Sequence, residues 1–169
     1  DLIHQHAMQW LEKQERGKPF FGLLTYTLPH AELVQPDDSI VQHYIKQFKE
    51  DKNYPGSTGS RYNATMHTHA QFAAMITRLD CYVGQLMQKL EEKGLADNTI
   101  VIFSSDNGPH EEGGADPAFF GRDGQLRGLK RSCHEGGIRI PFIVRWPGRV
   151  AEGSVTTHQM AFWDIMPTL

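Results

Sequence analysis

The sequence predicts an α/β fold, a mainly parallel sheet flanked by helices, and three observations predict it. A nearly continuous apolar run, Phe20 to Thr27, comes first; a long helical periodicity follows from about Asn63 to Lys93; a β-branched run, Thr99 to Phe103, comes third. Short apolar runs without alternation suit strands buried on both faces. The order strand, helix, strand is the pattern of a parallel crossover unit. Strands 20–27 and 99–104 are therefore expected in one sheet, with the 63–93 helix packed on it.

The elements can be justified in order. Leu2, Ile3, His6, Ala7, Trp10 and Leu11 follow helical spacing, and Gly17 and Pro19 supply the stop. Leu28-Pro29-His30 ends the first apolar run. From Ala31 to about Tyr62 the chain is polar and irregular, with room for a short helix around Ile40 to Phe48. Met66, Ala70, Ala73, Ile76, Leu79, Val83, Leu86 and Leu90 keep i, i+3 and i+4 steps along the long helix, and Gly94 stands where a left-handed cap is needed. Eight of the sixteen glycines lie between Gly108 and Gly137, a loop long enough to be either functional or disordered. Phe119, Phe120 and Leu126 within it argue for order. Ile138 to Val144 reads as a further strand that Pro141 confines to an edge or a bulge, and a last helix begins near Phe162.

Composition narrows the function classes. The chain has 169 residues, enough to bury one core without a metal or disulfide staple. A net charge of −3 excludes a strongly basic nucleic-acid binder. No apolar run approaches the roughly 18 residues of a membrane span. Two distant cysteines form neither a disulfide framework nor a Cys-x-x-Cys metal pair. The opening at Asp1, without Met or signal peptide, and the stop just after Pro167 suggest an internal piece of a longer protein.

Polar constellations follow the ends of two expected strands, where open α/β sheets bind ligands. Ser104-Ser-Asp106-Asn107-Gly108 is either a simple turn or, through its carboxylate and amide oxygens, part of a calcium or magnesium site. His30, after Pro29, is either a surface residue or a functional one. A third constellation, Gly128-Leu-Lys130-Arg-Ser-Cys-His134-Glu-Gly-Gly137 with Arg122, Arg127 and Arg139 near it, is either a solvated basic loop or an oxyanion cradle. His110 either lines that pocket or lies on the surface. Glu111 and Glu112 are expected to be solvated, and Glu135 to order its loop or pair with an arginine. His67 and His69, two apart on a helix, face different sides and make a poor metal pair. Cys81 is expected to be a small buried apolar residue, and Cys133 an exposed thiol.

Taken together, these segments resemble the type I, formylglycine-dependent sulfatases. The resemblance runs through Pro19-Phe-Phe with Pro29-His30, Leu79-Asp80 with Val83-Gly84, and the Leu90–Gly94 helix end. It continues through Asp97-Asn-Thr, Ser105-Asp-Asn-Gly-Pro109 and Leu126-Arg-Gly-Leu-Lys130. Glu135-Gly-Gly-Ile-Arg139, Trp146-Pro-Gly148 and Asp164 with Pro167-Thr-Leu169 complete it. The resemblance implies an alkaline-phosphatase-like α/β fold and hydrolysis of sulfate esters of carbohydrates or aryl alcohols. The alternatives are a related phosphomonoesterase or phosphodiesterase, or a non-catalytic binding module. Asp106 and Asn107 are then two ligands of a calcium ion. Lys130 contacts the substrate sulfate, His30 holds the sulfate or protonates the leaving oxygen, and His110 touches substrate. The family's nucleophile, a formylglycine made within Cys/Ser-x-Pro-x-Arg, has no counterpart here: Cys81 and Cys133 lie outside such a motif, and Ser57-Thr-Gly-Ser-Arg61 has Gly for Pro. Residues 1–169 are accordingly expected to be part of a single catalytic domain whose nucleophile-bearing first half and C-terminal subdomain lie elsewhere. This stretch alone is expected to be inactive, to bind calcium weakly and to associate through an exposed sheet edge. The resemblance also implies a periplasmic, extracellular or lysosomal parent.

Overall fold

The computed structural model describes residues 1–49, 52–56, 59, 61–121 and 126–169. Three helices carry the body of the chain: α1 (Leu2–Glu12), α2 (Ser39–Phe48) and α3 (Thr68–Glu92). Two short strands, β1 (Val101–Ser104) and β2 (Phe142–Arg145), bracket the glycine-rich loop, which itself holds the single-turn helix α4 (Glu135–Ile138). A 3₁₀ turn at Phe162–Asp164 leads into α5 (Ile165–Thr168).

Local chemistry sets the helix boundaries. The Asp1 carboxylate accepts from the Ile3 and His4 amides, and Asp38 does the same for Ile40 and Val41. Asp38 also takes the Arg78 guanidinium at 2.6 Å, which ties the start of α2 to α3 and holds the Asp38 carboxyl below its ordinary range. The end of α3 follows the expected cap: Gly94 is left-handed (φ 63°), its amide bonds Glu91 O, and the Leu95 amide reaches back to Leu90 O at 2.8 Å.

Two apolar clusters organise the packing. Leu11, Leu90, Leu95 and Ala96 meet Trp10, Phe20 and Val101, joining α1, the end of α3 and the start of β1. Leu33, Phe72, Met75 and Ala115 meet Leu28 and Phe120 beneath the polar loops. Leu33 is fully buried there, which anchors the segment after His30 against the middle of α3.

Several expectations need correction. Residues 20–27 have no ladder partner among the described residues. The apolar content there serves helix packing instead. Phe20 stands edge-on to Trp10 at 5.6 Å, Gly22 leaves room for the Trp10 ring, and the Tyr26 hydroxyl lies 2.9 Å from His4 Nδ1. Phe21 and Leu23, expected inside a two-face-buried strand, are exposed. The sheet is also not parallel among the described residues: β1 pairs antiparallel with β2, Val101 opposite Arg145 and Ser104 opposite Phe142. Parallel neighbours require a crossover of a dozen residues or more, usually a helix. Among the described residues, the chain between β1 and β2 spends its length on the polar loop and offers the 3₁₀ turn Glu112–Gly114 and the four residues of α4.

The third expected strand begins at Phe142 rather than Ile138, because Ile138 closes α4 and Pro141 has no amide to give. The long helix starts at Thr68 rather than Asn63. Residues 54 and 65 form a bridge instead, and Met66 and Ile76, read as core positions, are exposed. Cys81, read as buried, is exposed on the outer face of α3, while Cys133 is exposed as expected. Arg122, Gly124 and the Ser57, Thr58 and Ser60 of the near-miss motif lie outside the described residues.

Candidate active site

The site forms where three loops cross. Ser104 ends β1 and donates through its hydroxyl to Pro141 O at 2.8 Å, fixing the exit of the Ser105–Gly108 turn. Gly108 then donates to Gly137 O at 2.9 Å, Gly136 donates to Arg127 O at 2.8 Å, and Lys130 donates to Pro109 O at 2.8 Å. Backbones this close leave no room for side chains. A Cβ on Gly108 would stand 1.9 Å from Gly136 O, and one on Gly136 would stand 1.9 Å from Gly128 O. The glycines read from sequence as an oxyanion cradle thus have a definite task, which is to seat Lys130 beside the residues that follow Asp106 and Asn107.

The third loop brings His30. Its amide closes a turn onto Thr27 O, and its Nδ1 lies 2.5 Å from Ala31 O. Nδ1 therefore carries the hydrogen. Nε2 faces Lys130 Nζ at 2.7 Å. An ammonium has only donors, so Nε2 must accept with its lone pair. His110 is buried next to it, the two rings stacked with centroids 5.5 Å apart. Its Nδ1 accepts from the Glu112 amide at 3.1 Å, and its Nε2 donates to Pro29 O at 3.2 Å. Burial pushes the His110 pKa down, as a neutral ring with one donor and one acceptor requires.

Glu112, expected to be solvated, is the hub of the cluster. Its side chain is 13% exposed, with Oε2 at 3.1 Å from Lys130 Nζ and 3.4 Å from His30 Nε2, while Oε1 takes the Arg131 guanidinium. Burial works to raise its pKa, but the bonds from Lys130 and Arg131 outweigh it and hold the carboxyl below its ordinary range. Arg131 adopts a left-handed backbone (φ 76°), uncommon for a residue with a side chain. One signal could have found Glu112: a basic loop this dense needs a counter-charge, and Glu112 lies between His110 and Gly113-Gly114. Arg127 is exposed, and Arg139 reaches Glu135 at 3.9 Å, the pairing expected for that glutamate.

Asp106 and Asn107 differ in character from the rest. Among the described residues the exposed Asp106 carboxylate makes no hydrogen bond or ion pair. The Asn107 side-chain amide donates to Gly108 O at 2.8 Å, which leaves its oxygen as the free donor atom. Two hard oxygens on successive residues suit calcium in kind, though that ion takes 6–8 ligands. Among the described residues no group of three or more His, Cys, Asp or Glu stands close enough to hold a metal. The pair therefore fits as part of a ligand set.

A second polar cluster braces the loop from beneath. Asp116 takes Lys52 at 2.5 Å, His69 Nε2 at 3.1 Å and the Phe119 amide at 3.2 Å, and the His69 ring stacks on Phe119. These bonds, Lys52 foremost, hold the Asp116 carboxyl far below the usual carboxylate range.

The chain is 37% identical over 103 residues to the steryl-sulfatase of Rattus norvegicus, a match covering 60% of this chain and 18% of that protein. It is 33% identical over 159 residues to the arylsulfatase A of Bos taurus, covering 94% of this chain and 26% of the relative. The chain thus spans about a quarter or less of the length of these relatives. Among solved structures, Ps i-CgsB in complex with k-i-k-neocarrahexaose superposes with a TM-score of 0.75 at 28% identity, over 99% of this chain and 32% of that one. The architecture is thus a partial α/β domain of the alkaline-phosphatase-like kind, its sheet represented by the β1–β2 pair. The family model described as Sulfatase matches residues 1–169, and the chain belongs to the sulfatase family.

Proposed function

We propose that the full protein hydrolyses sulfate monoesters, with sulfated glycans as the substrate class. The observation that carries the reading is the convergence of Lys130 and His30 at 2.7 Å, beside a turn holding the free oxygens of Asp106 and Asn107. A sulfate monoester is anionic, so attack at sulfur requires fixed positive charge around its oxygens. Lys130 supplies a half-buried ammonium for one of those oxygens. His30 supplies a ring nitrogen that, once protonated, donates to the departing ester oxygen, help worth about 10²–10⁴-fold. A calcium ion held in part by Asp106 and Asn107 would supply Lewis-acid neutralisation of the sulfate. His110, locked between Pro29 and Glu112, stacks against His30 and offers its ring as a wall for substrate. The chain contains no Cys/Ser-x-Pro-x-Arg, so these residues bind sulfate and handle the proton rather than attack. The likeness to a carrageenan-oligosaccharide complex favours a glycan over a small aryl ester. Such a substrate places the reaction in the periplasm, outside the cell or in a lysosome. Among the described residues no helix is long and apolar enough to cross a membrane.

The test is turnover by the full-length protein of 4-nitrophenyl sulfate and of sulfated oligosaccharides, with 4-nitrophenyl phosphate alongside. Lys130→Ala and His30→Ala should each lower kcat/KM for sulfate by about 100-fold or more with melting temperature nearly unchanged. Preference for the phosphate ester, or wild-type turnover in both variants, would overturn the reading.

A further inference from the structure

We propose that Glu112 is a positioning residue of the sulfate site: its carboxylate sets Lys130 and Arg131 in place and accepts the hydrogen bond of the protonated His30 Nε2 between turnovers. The inference rests on the sulfate-ester reading above. Four groups converge on this one residue. Lys130 Nζ and His30 Nε2 meet Oε2, Arg131 meets Oε1, and the backbone amide is spent on His110 Nδ1 at 3.1 Å. The residue is thereby fixed at both ends, from its main chain and from its carboxylate.

The hydrogen-bond accounting at His30 then admits two arrangements. In the neutral ring, Nδ1–H is taken by Ala31 O and the Nε2 lone pair accepts from Lys130. When Nε2 is protonated, Lys130 can no longer donate to it, since both are then donors. The acceptor within reach is Glu112 Oε2 at 3.4 Å. Protonation thus hands His30 from Lys130 to Glu112 and frees one ammonium hydrogen of Lys130 for a sulfate oxygen. In the reaction, the Nε2–H bond breaks as an O–H bond forms on the leaving oxygen. The S–O bond to that oxygen breaks as an attacking oxygen nucleophile bonds sulfur; its electron pair stays with the leaving oxygen, and Nε2 recovers the lone pair that faces Lys130. The other groups around His30 are the rings of His110 and Tyr62, with centroids 5.5 and 6.4 Å away. His110 is held neutral by its two partners, and among the described residues the anion within ion-pair distance of Nε2 is Glu112. Arg131 adds to the argument, because its guanidinium, on a left-handed backbone and largely exposed, pairs with the other carboxylate oxygen.

The experiment compares wild type, Glu112→Gln, Glu112→Asp and the exposed neighbour variant Glu111→Gln in the full-length protein. Two quantities are read: the His30 titration by NMR of ¹³Cε1-labelled histidine, and the pH profile of kcat and KM for 4-nitrophenyl sulfate. Glu112→Gln removes the acceptor that the protonated ring meets, so the His30 ¹³Cε1 signal should follow a different course with pH from that of wild type. It should alter the pH profile of kcat and lower kcat about tenfold or more, with KM changing less. Glu112→Asp should recover part of each effect, and Glu111→Gln should show none. An unmoved His30 titration would overturn the proposal, whatever the melting temperature does. So would a lower KM at unchanged kcat, since the carboxylate would then merely occupy the place of the sulfate. If wild type turns over no sulfate ester, the proposed function fails, while the NMR titration still decides whether Glu112 controls His30.

Discussion

Replacing Gly108 by alanine tests how the site is held together. The added Cβ would lie 1.9 Å from Gly136 O and 2.9 Å from its carbonyl carbon, where ordinary contact begins at 3.4 Å. The obstacle is backbone, so no rotamer change relieves it, and the two strands of loop must part by more than an ångström. Overpacking of this kind costs about 1–3 kcal/mol. The Gly108–Gly137 hydrogen bond, 2.9 Å long, is lost with it at about 1 kcal/mol. A loss of about 2–4 kcal/mol is therefore expected, a large share of the 5–15 kcal/mol typical of a folded domain. Lys130 is bonded to Pro109, the next residue, so its ammonium should shift too; a displacement near 1 Å can cost about 10²-fold in turnover. Urea unfolding and aryl sulfate turnover of the full-length protein measure both effects. Gly84→Ala provides the opposite sign. That glycine lies inside α3 with open space where a Cβ would go, so alanine should stabilise by up to about 1 kcal/mol. A Gly108→Ala protein with wild-type midpoint and turnover would refute the close-packing argument.

Three further outcomes are expected. Leu33→Ala removes a fully buried side chain from beneath the site and should cost about 2–5 kcal/mol, read as a lower urea midpoint. Asp116→Asn should lower stability at neutral pH and lose that effect in acid. The folded-state pKa lies far below the unfolded value of about 3.9, so the aspartate's contribution is full above that pH and is lost only as pH falls through the folded pKa; the gap between the melting curves should begin to narrow between about pH 4 and pH 3 and close only in stronger acid. Asp106→Ala should raise the calcium concentration that restores half-maximal activity after chelation, whereas the exposed Asp80→Asn on α3 should not. Equal calcium titrations for both variants would remove Asp106 from the ligand set.

How far the sequence could be read depended on the range of the interactions involved. The body of α3 was legible because its spacing and the Gly94 cap are local, and the structure reproduces the cap bond for bond. The first apolar run was not, since Phe20 and Tyr26 are apolar for the sake of Trp10 and His4, residues of a helix ten or more positions earlier. Strand direction is a matter of long-range pairing, which neither Val101–Ser104 nor Phe142–Arg145 reveals alone. At the site, Lys130, His30 and His110 lay in polar stretches with open readings, the family resemblance gave Lys130 and His30 their expected roles, and the structure brings the three together. Glu112 escaped because its burial exists only after the glycine loop has folded over it. Cys81 was misjudged because residue type suggests burial, whereas its place on the outer face of α3 decides exposure.

The three glycine crossings bear on how this region can be recombined. Gly108 must pass Gly136, Gly136 must pass Gly128, and Gly137 must pass Ser132, each with a backbone oxygen within 2.2 Å of where a Cβ would be. The segments 105–109 and 127–137 are thus one inheritance unit, although some twenty residues separate them in the chain. A chimera that imports the Lys130 segment from a relative while keeping its own 105–109 turn succeeds only when the host holds glycine at position 108 and the import holds it at 136 and 137. Loop insertions between them, by contrast, enter at residues that take no part in the crossings. Swapping 105–109 together with 127–137 should yield folded hybrids, and swapping either alone from a parent without those glycines should not.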